Sequence, residues 1–252
     1  MGNKQNIVTY KFGLIGKNID YSFSRGYFSE KFGREELPHS YVNFDFQSIE
    51  EFKSIFNTKE HIKGLNVTIP YKEQIIPYLD KLNKKAKKIG AVNTIKISKK
   101  GKLIGYNTDY HGFLESLAPY LRDHHKSALI LGTGGASKAI AYALKELKIN
   151  YYFISRTKAE HVSYTYSELN EDIIKSHQII INCSPVGTFP NLNNCPDLPY
   201  DGISKAHILF DLIYNPEKTK FLQIGEHLGA TIINGKKMLE LQAEKAWEIW
   251  NS

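Results

Sequence analysis

Cysteine, methionine and tryptophan each occur only twice in the 252 residues. The two cysteines, Cys183 and Cys195, share no metal-ligand spacing and cannot build a disulfide framework, so both are expected to be reduced and structural. The nine histidines include no H-E-x-x-H pair, which argues against a catalytic zinc and leaves no metal expected. No apolar run approaches the roughly 18 residues that cross a bilayer. The first ten residues, M-G-N-K-Q-N-I-V-T-Y, hold no apolar signal core. The N-V-T at 66 and N-C-S at 182 fit the glycosylation pattern, but without a secretion signal they read as chance. These absences together predict a cytoplasmic chain with no membrane partner.

The formal charge is +7, and it is locally concentrated in K-L-N-K-K-A-K-K (81–88). Such a run reads as the solvated face of a helix. Nucleic-acid binding calls for aromatic platforms or a recognisable motif beside the basic residues, and neither is present, so no nucleic-acid partner is expected. A mildly basic surface does attract small anionic ligands, which suits any enzyme of phosphorylated cofactors and selects none.

What the chain does have is alternation. Strands are expected at 7–16, 41–46, 65–69, 91–97 and 102–107, and helices at 22–33, 48–57 and 71–88, the last interrupted near Pro77. S-K-K-G (98–101) supplies a hairpin turn. After Asp109 a helix over about 110–121 precedes a restart of the pattern. S-A-L-I-L-G-T-G-G-A-S-K-A (127–139) reads as an apolar strand, a glycine turn and the opening of an amphipathic helix that runs to 148. Strands follow at 151–155, 178–183, 207–213 and 231–234, with helices near 219–228 and over 237–250. This order predicts an α/β fold in two lobes, each around a mostly parallel sheet, with a boundary near residue 108.

Two stretches carry chemistry. In N-V-T-I-P-Y-K (66–72) the strand period sets Asn66 and Thr68 on one face and Val67 and Ile69 on the other, and Lys72 follows the proline. An edge strand and the wall of a polar pocket both explain it. G-T-G-G-A-S (132–137) sits between a buried strand and a helix, where glycines let backbone N–H groups approach a pyrophosphate. The next strand ends in Ser155-Arg156-Thr157, where an NAD site would place an acid. Arg156 pairs with a 2′-phosphate instead, so NADP is favoured over NAD.

N-V-T-I-P-Y-K, A-V-N-T (91–94), Y-N-T-D (106–109), G-T-G-G-A-S-K-A, I-N-C-S-P-V-G (181–187), D-L-I-Y-N-P (211–216) and E-L-Q-A (240–243) occur in an order and spacing that resemble the shikimate dehydrogenase family. The resemblance implies NADP-dependent, reversible reduction of 3-dehydroshikimate to shikimate, a step toward the aromatic amino acids. It implies an N-terminal α/β substrate domain (1–108 plus 236–252), a Rossmann-like NADP domain (109–235) and a C-terminal helix packed back on the first lobe. Lys72 and Asp109 match the family's catalytic pair. Ser22 and Ser24 match its carboxylate-binding serines, and Asn66, Thr68, Asn93 and Gln242 the residues near the ring hydroxyls, with Tyr214 lining the pocket. The matching cofactor positions are Gly132, Gly134, Gly135, Ala136, Ser155, Arg156, Thr157, Leu212 and Gly235. A monomer or homodimer is expected.

Each residue also has a plainer explanation. Ser22 suits a helix N-cap, Asn66 and Thr68 a ladder face, Gln242 a solvent-facing helix position and Leu212 a strand core. Arg25, Thr133, Ser184 and Thr188 stand where the family commonly has proline, alanine, threonine and methionine. Two other functions stay open: a quinate/shikimate dehydrogenase of relaxed choice, and a non-catalytic dinucleotide-binding paralogue. Ser24 and Arg156 point away from the first, and the intact Lys72 and Asp109 away from the second.

Overall fold

The computed structural model describes residues 8–20, 22–57 and 61–252; Ile7, at the start of the first expected strand, lies outside the described residues. The chain divides into two compact units, Met1–Thr108 with Ala246–Ser252, and Asp109–Lys245.

In the first unit β1 (Lys11–Gly16), β2 (Ser40–Asp45), β3 (Ile62–Val67), β4 (Lys81–Leu82), β5 (Thr94–Ile97) and β6 (Leu103–Tyr106) form one sheet in the order β2-β1-β3-β5-β6-β4. β1 runs parallel to β2 and β3, while β5 is antiparallel to β3 and β6. Paired residues share a face of a sheet. Ile15, Leu65, Val67 and Ile95 therefore project together, into a cluster with Phe46, Phe52, Tyr71 and Ile75. On the opposite face Phe12 packs against Phe32 from α1 (Phe23–Arg34) and against Trp250 from α8 (Lys236–Asn251), with ring centroids 5.7 and 4.9 Å away. The end of the C-terminal helix thus belongs to the first unit.

The second unit is an all-parallel sheet of β7 (Ser127–Leu131), β8 (Asn150–Ser155), β9 (Tyr164–Thr165), β10 (Ile179–Asn182), β11 (Ile208–Asp211) and β12 (Thr231–Ile233). Their order is β12-β11-β10-β7-β8-β9. Central strands of such a sheet are covered on both faces, so they read as continuous apolar runs. Alternate residues enter opposite cores: Ala128, Ile130, Ile179 and Ile181 one, Leu129, Leu131, Ile180 and Leu209 the other. The chain reverses its winding between β7 and β10, and open parallel sheets bind ligands beyond the carboxyl ends at such a point.

Several expected elements differ. The helix over 71–88 is instead α2 (Tyr71–Gln74), a 3-10 turn (Ile76–Tyr78), β4, and α3 (Lys84–Ile89). Pro77 ends the first piece by removing a backbone donor. Asn83, whose side chain accepts from the Lys85 N–H at 2.9 Å, starts the last. The helix expected over 48–57 is a 3-10 helix, Ile49–Asn57. The strand expected over 65–69 stops at Val67, so Ile69 lies in a turn and is 71% exposed instead of facing a core. The strand expected from 91 begins at Thr94. β9 and α6 (Glu171–Ser176) fill a region for which no element was expected.

Candidate active site

In the first unit the polar face of the sheet gathers the substrate candidates. Asn43, Asn66 and Thr94 project from one face, because Leu14 pairs with both asparagines and Asn66 pairs with Thr94. Thr68 lies one residue beyond the strand, and its N–H continues the ladder to the Ile15 carbonyl at 2.8 Å. Asn66 and Asn93 are buried, 4% and 3% exposed, and burial of a carboxamide requires partners. Asn66 Nδ2 donates to the Asn93 carbonyl (3.1 Å) and to Thr94 Oγ1 (3.3 Å). Its Oδ1 accepts from the Tyr41 hydroxyl at 2.8 Å. Asn93 Oδ1 accepts from the Thr108 N–H at 2.6 Å and from Thr94 Oγ1 at 3.0 Å, while its Nδ2 donates to Thr108 Oγ1 at 3.0 Å.

Ser22 does cap α1, accepting from the Arg25 N–H at 3.4 Å, and its hydroxyl donates to Asn43 Oδ1 at 2.8 Å. Asn43 is held in turn by the Ile19 carbonyl at 2.7 Å. Ser24, the second residue of α1, is buried. Arg25, the departure from the family pattern, donates through Nη2 to the Asp20 carbonyl at 2.7 Å and so braces the loop ahead of the serines. Lys72 is the second residue of α2, half-buried, with its carbonyl accepting from the Val92 N–H at 2.7 Å.

In the second unit Asp109 opens α4 (Asp109–Leu117) and is 6% exposed. Gly112, one turn later on the same face, is where α4 meets α8. A Cβ there would run into the Met238 carbonyl and lie 3.1 Å from the Gln242 nitrogen, so only glycine allows this crossing. Gln242 is buried, its Nε2 donating to the Leu239 carbonyl at 2.9 Å, which replaces the solvent-facing alternative.

The glycine turn lies at the carboxyl end of β7. Gly132 has φ +110°, a region that favours glycine, and its N–H donates to the Ile154 carbonyl at 2.9 Å. Gly134 is the N-cap of α5 (Gly135–Glu146) in ordinary extended conformation, and a Cβ on it would meet no atom within 4 Å. Neither its backbone nor its packing calls for glycine, so the bare backbone there suits close approach by a group from outside. Gly135 and Ala136 begin α5, with Ser137 Oγ closing the turn onto the Gly134 carbonyl at 2.6 Å. Thr133 and Ser155 are half-buried, whereas Arg156 and Thr157 are exposed. A phosphorylated dinucleotide fits this set: free N–H groups at the start of a 12-residue helix, and a cation at the end of the neighbouring strand.

Beyond β10 and β11, Asp211 is fully buried and holds three donors: Asn182 Nδ2 (3.1 Å), the Ile213 N–H (3.1 Å) and Thr219 Oγ1 (2.6 Å). Burial pushes its carboxyl up to about 6, against the pull of those hydrogen bonds. Asn182 Oδ1 accepts from the Ser184 N–H and Oγ at 3.0 and 2.6 Å, so Ser184 supplies the hydroxyl expected of threonine. Thr188 Oγ1 donates to the Pro185 carbonyl at 2.7 Å, tightening the loop that follows. Leu212 is half-buried on the core, and its N–H donates to the Asn182 carbonyl at 3.0 Å. Gly235 packs against the Leu212 backbone, and its N–H donates to the Ile213 carbonyl at 3.0 Å. Tyr214, 37% exposed, follows on the same loop.

Sequence reasoning passed over Tyr41, Thr94, Thr108, Asn182 and Asp211. The two threonines, Asn182 and Asp211 stand inside the motifs given above, so they were within reach; Tyr41 carried no such signal. Among the described residues no cluster of three or more His, Cys, Asp or Glu side chains is placed to hold a metal ion. Among them, too, no helix is long and apolar enough to cross a membrane.

Residues 14–95 match the family model described as the shikimate dehydrogenase substrate binding domain. The chain is 40% identical over 251 residues to the shikimate dehydrogenase (NADP(+)) of Clostridium botulinum, covering 96% of each. Among solved structures it resembles shikimate dehydrogenase from Aquifex aeolicus, with TM-score 0.84 and 36% identity over 100% of this chain and 94% of that one. It also resembles the Thermus thermophilus enzyme in complex with NADP(H) and shikimate, with TM-score 0.84 and 27% identity over 96% and 93%.

Proposed function

This chain belongs to the shikimate dehydrogenase family, and from that premise we propose that it catalyses the NADP-dependent, reversible reduction of 3-dehydroshikimate to shikimate. The observation that carries the reading is the reach of the similarity. It runs over 96% of the chain and so takes in both the N-V-T-I-P-Y-K strand end and the glycine turn.

The first unit, with its polar sheet face, holds the substrate. Ser22 and Ser24 lie beside its carboxylate, while Asn66, Thr68, Asn93 and Gln242 take its hydroxyls and Tyr214 lines the pocket. NADP is held by Gly132, Gly134, Gly135 and Ala136 at its pyrophosphate, with Ser155, Arg156 and Thr157 at the 2′-phosphate and Leu212 and Gly235 alongside. Bound NADPH supplies the hydride to the ring carbonyl. The oxygen left behind needs a proton, and the Lys72 ammonium donates it; in the oxidative direction the neutral amine takes it back. The Asp109 carboxylate, fixed at the start of α4, is the second member of the catalytic pair in this reading and accepts from a substrate hydroxyl. The setting is the cytoplasm, with the protein a monomer or homodimer.

The test is NADP reduction by shikimate, followed by absorbance, on wild type and Lys72→Ala. General acid–base groups contribute roughly 10²–10⁴-fold, so kcat should fall by that range while circular dichroism is unchanged. Equal turnover in the variant would remove Lys72 from the chemistry, and absent wild-type turnover would remove the activity itself.

A further inference from the structure

Tyr41 matches no motif and sits in the middle of the polar face. It is 5% exposed, in β2, and its ring stacks on Phe28 with centroids 4.8 Å apart and planes 12° from parallel. From there the phenol reaches diagonally across β1, and its hydroxyl donates to Asn66 Oδ1 at 2.8 Å. A stacked ring explains a phenylalanine at this position; it does not explain the hydroxyl.

The donors run in one direction. Tyr41 gives to Asn66, and Asn66 to the Asn93 carbonyl and Thr94 Oγ1. Both Nδ2 hydrogens of Asn66 are thereby engaged, and one lone pair of its Oδ1 is filled. The carboxamide cannot turn over without setting its oxygen against the Asn93 carbonyl. It is left with a single capability, an acceptor lone pair.

We propose that Tyr41 is a positioning residue of the substrate site: its buried phenol holds the Asn66 carboxamide in one orientation, as an acceptor for a substrate hydroxyl. Burial keeps the phenol protonated, with its pKa raised far above the usual value, so it serves as a donor at every working pH. The inference rests on the functional reading above.

Tyr41→Phe keeps the stacked ring and deletes only the hydroxyl that donates to Asn66. Titration with shikimate should show Kd raised about tenfold, equivalent to about 1.4 kcal/mol, with Kd for NADP unchanged and kcat within twofold of wild type. In an Asn66→Ala background the same change should add less than twofold, because the residue through which it acts is gone. An unshifted Kd, a parallel shift for shikimate and NADP, or the full tenfold effect in the Asn66→Ala background would each overturn the proposal. If Tyr41→Phe fails to fold, Asn66→Ala carries the test with the phenol in place. It removes the acceptor that the phenol holds, so Kd for shikimate should rise about tenfold or more with Kd for NADP unchanged, and an unshifted Kd overturns the proposal. Wild type that does not bind shikimate removes the functional reading and this inference together. Wild type that binds and turns it over beside a silent Tyr41→Phe removes this inference alone.

Discussion

The indole N–H of Trp250 donates to the backbone carbonyl of Ile95 at 3.0 Å, joining the last turn of the chain to the middle of a sheet 155 residues earlier. The ring lies over Gly64, where an added Cβ would collide with it, and is 1% exposed. Deleting a buried aromatic of this size costs about 3–5 kcal/mol. Trp250→Ala should lose that much in urea titration, and Trp250→Phe, which forfeits the N–H and part of the ring, a smaller share. A Trp250→Ala midpoint equal to wild type would show that the helix end is not part of the first unit's core.

Asp211 makes stability depend on acidity in an unusual direction. Burial raises its folded value from 3.8 to about 6, so the folded state holds the proton more tightly than the unfolded chain. Its contribution is therefore complete below about pH 4 and lost as pH rises through about 6. At about 1.4 kcal/mol per pH decade the rise amounts to about 3 kcal/mol. Asp211→Asn keeps the Oδ1 acceptor for Asn182 and Ile213 and can donate to Thr219. Relative to wild type it should gain up to about 3 kcal/mol between pH 4 and pH 7 in urea titrations. A difference that stays flat across that range would contradict the burial argument.

On the proposed reading, Arg156 separates the two nicotinamide cofactors. Hydrogen bonds to charged groups contribute about 1.5–3 kcal/mol, so Arg156→Ala should raise KM for NADP about tenfold to a hundredfold. KM for NAD, which lacks the 2′-phosphate, should stay within twofold. Equal losses for both would place the arginine outside the phosphate pocket.

Legibility followed how local the cause was. The central strands of the second unit were readable because burial on both faces leaves an uninterrupted apolar run, as in S-A-L-I-L and I-I-I-N. β9, two residues long, has too short a span to show any period, and α6 has only six residues. The shared face of Asn66 and Thr94 is a matter of strand register, and the local alternation already set Asn66 away from Val67. Tyr41 was invisible for the opposite reason. In sequence it is one more aromatic in a strand, and its partner lies 25 residues on, reached only once β1 has come between them. The helix expected over 71–88, which was to open near Lys72, shrank to a single turn there because its cause, the chain's break at Pro77, lies further on.

The mutual engagement of Asn66, Asn93, Thr94 and Thr108 also has a calorimetric consequence. Freezing a flexible side chain on binding costs about 0.5–1.5 kcal/mol, and these four are already frozen by one another when the first unit folds. On the proposed reading, a polyol arriving at that face meets donors and acceptors with little rotational freedom left to surrender. Such association should carry a smaller entropic penalty than one in which the wall orders around its guest.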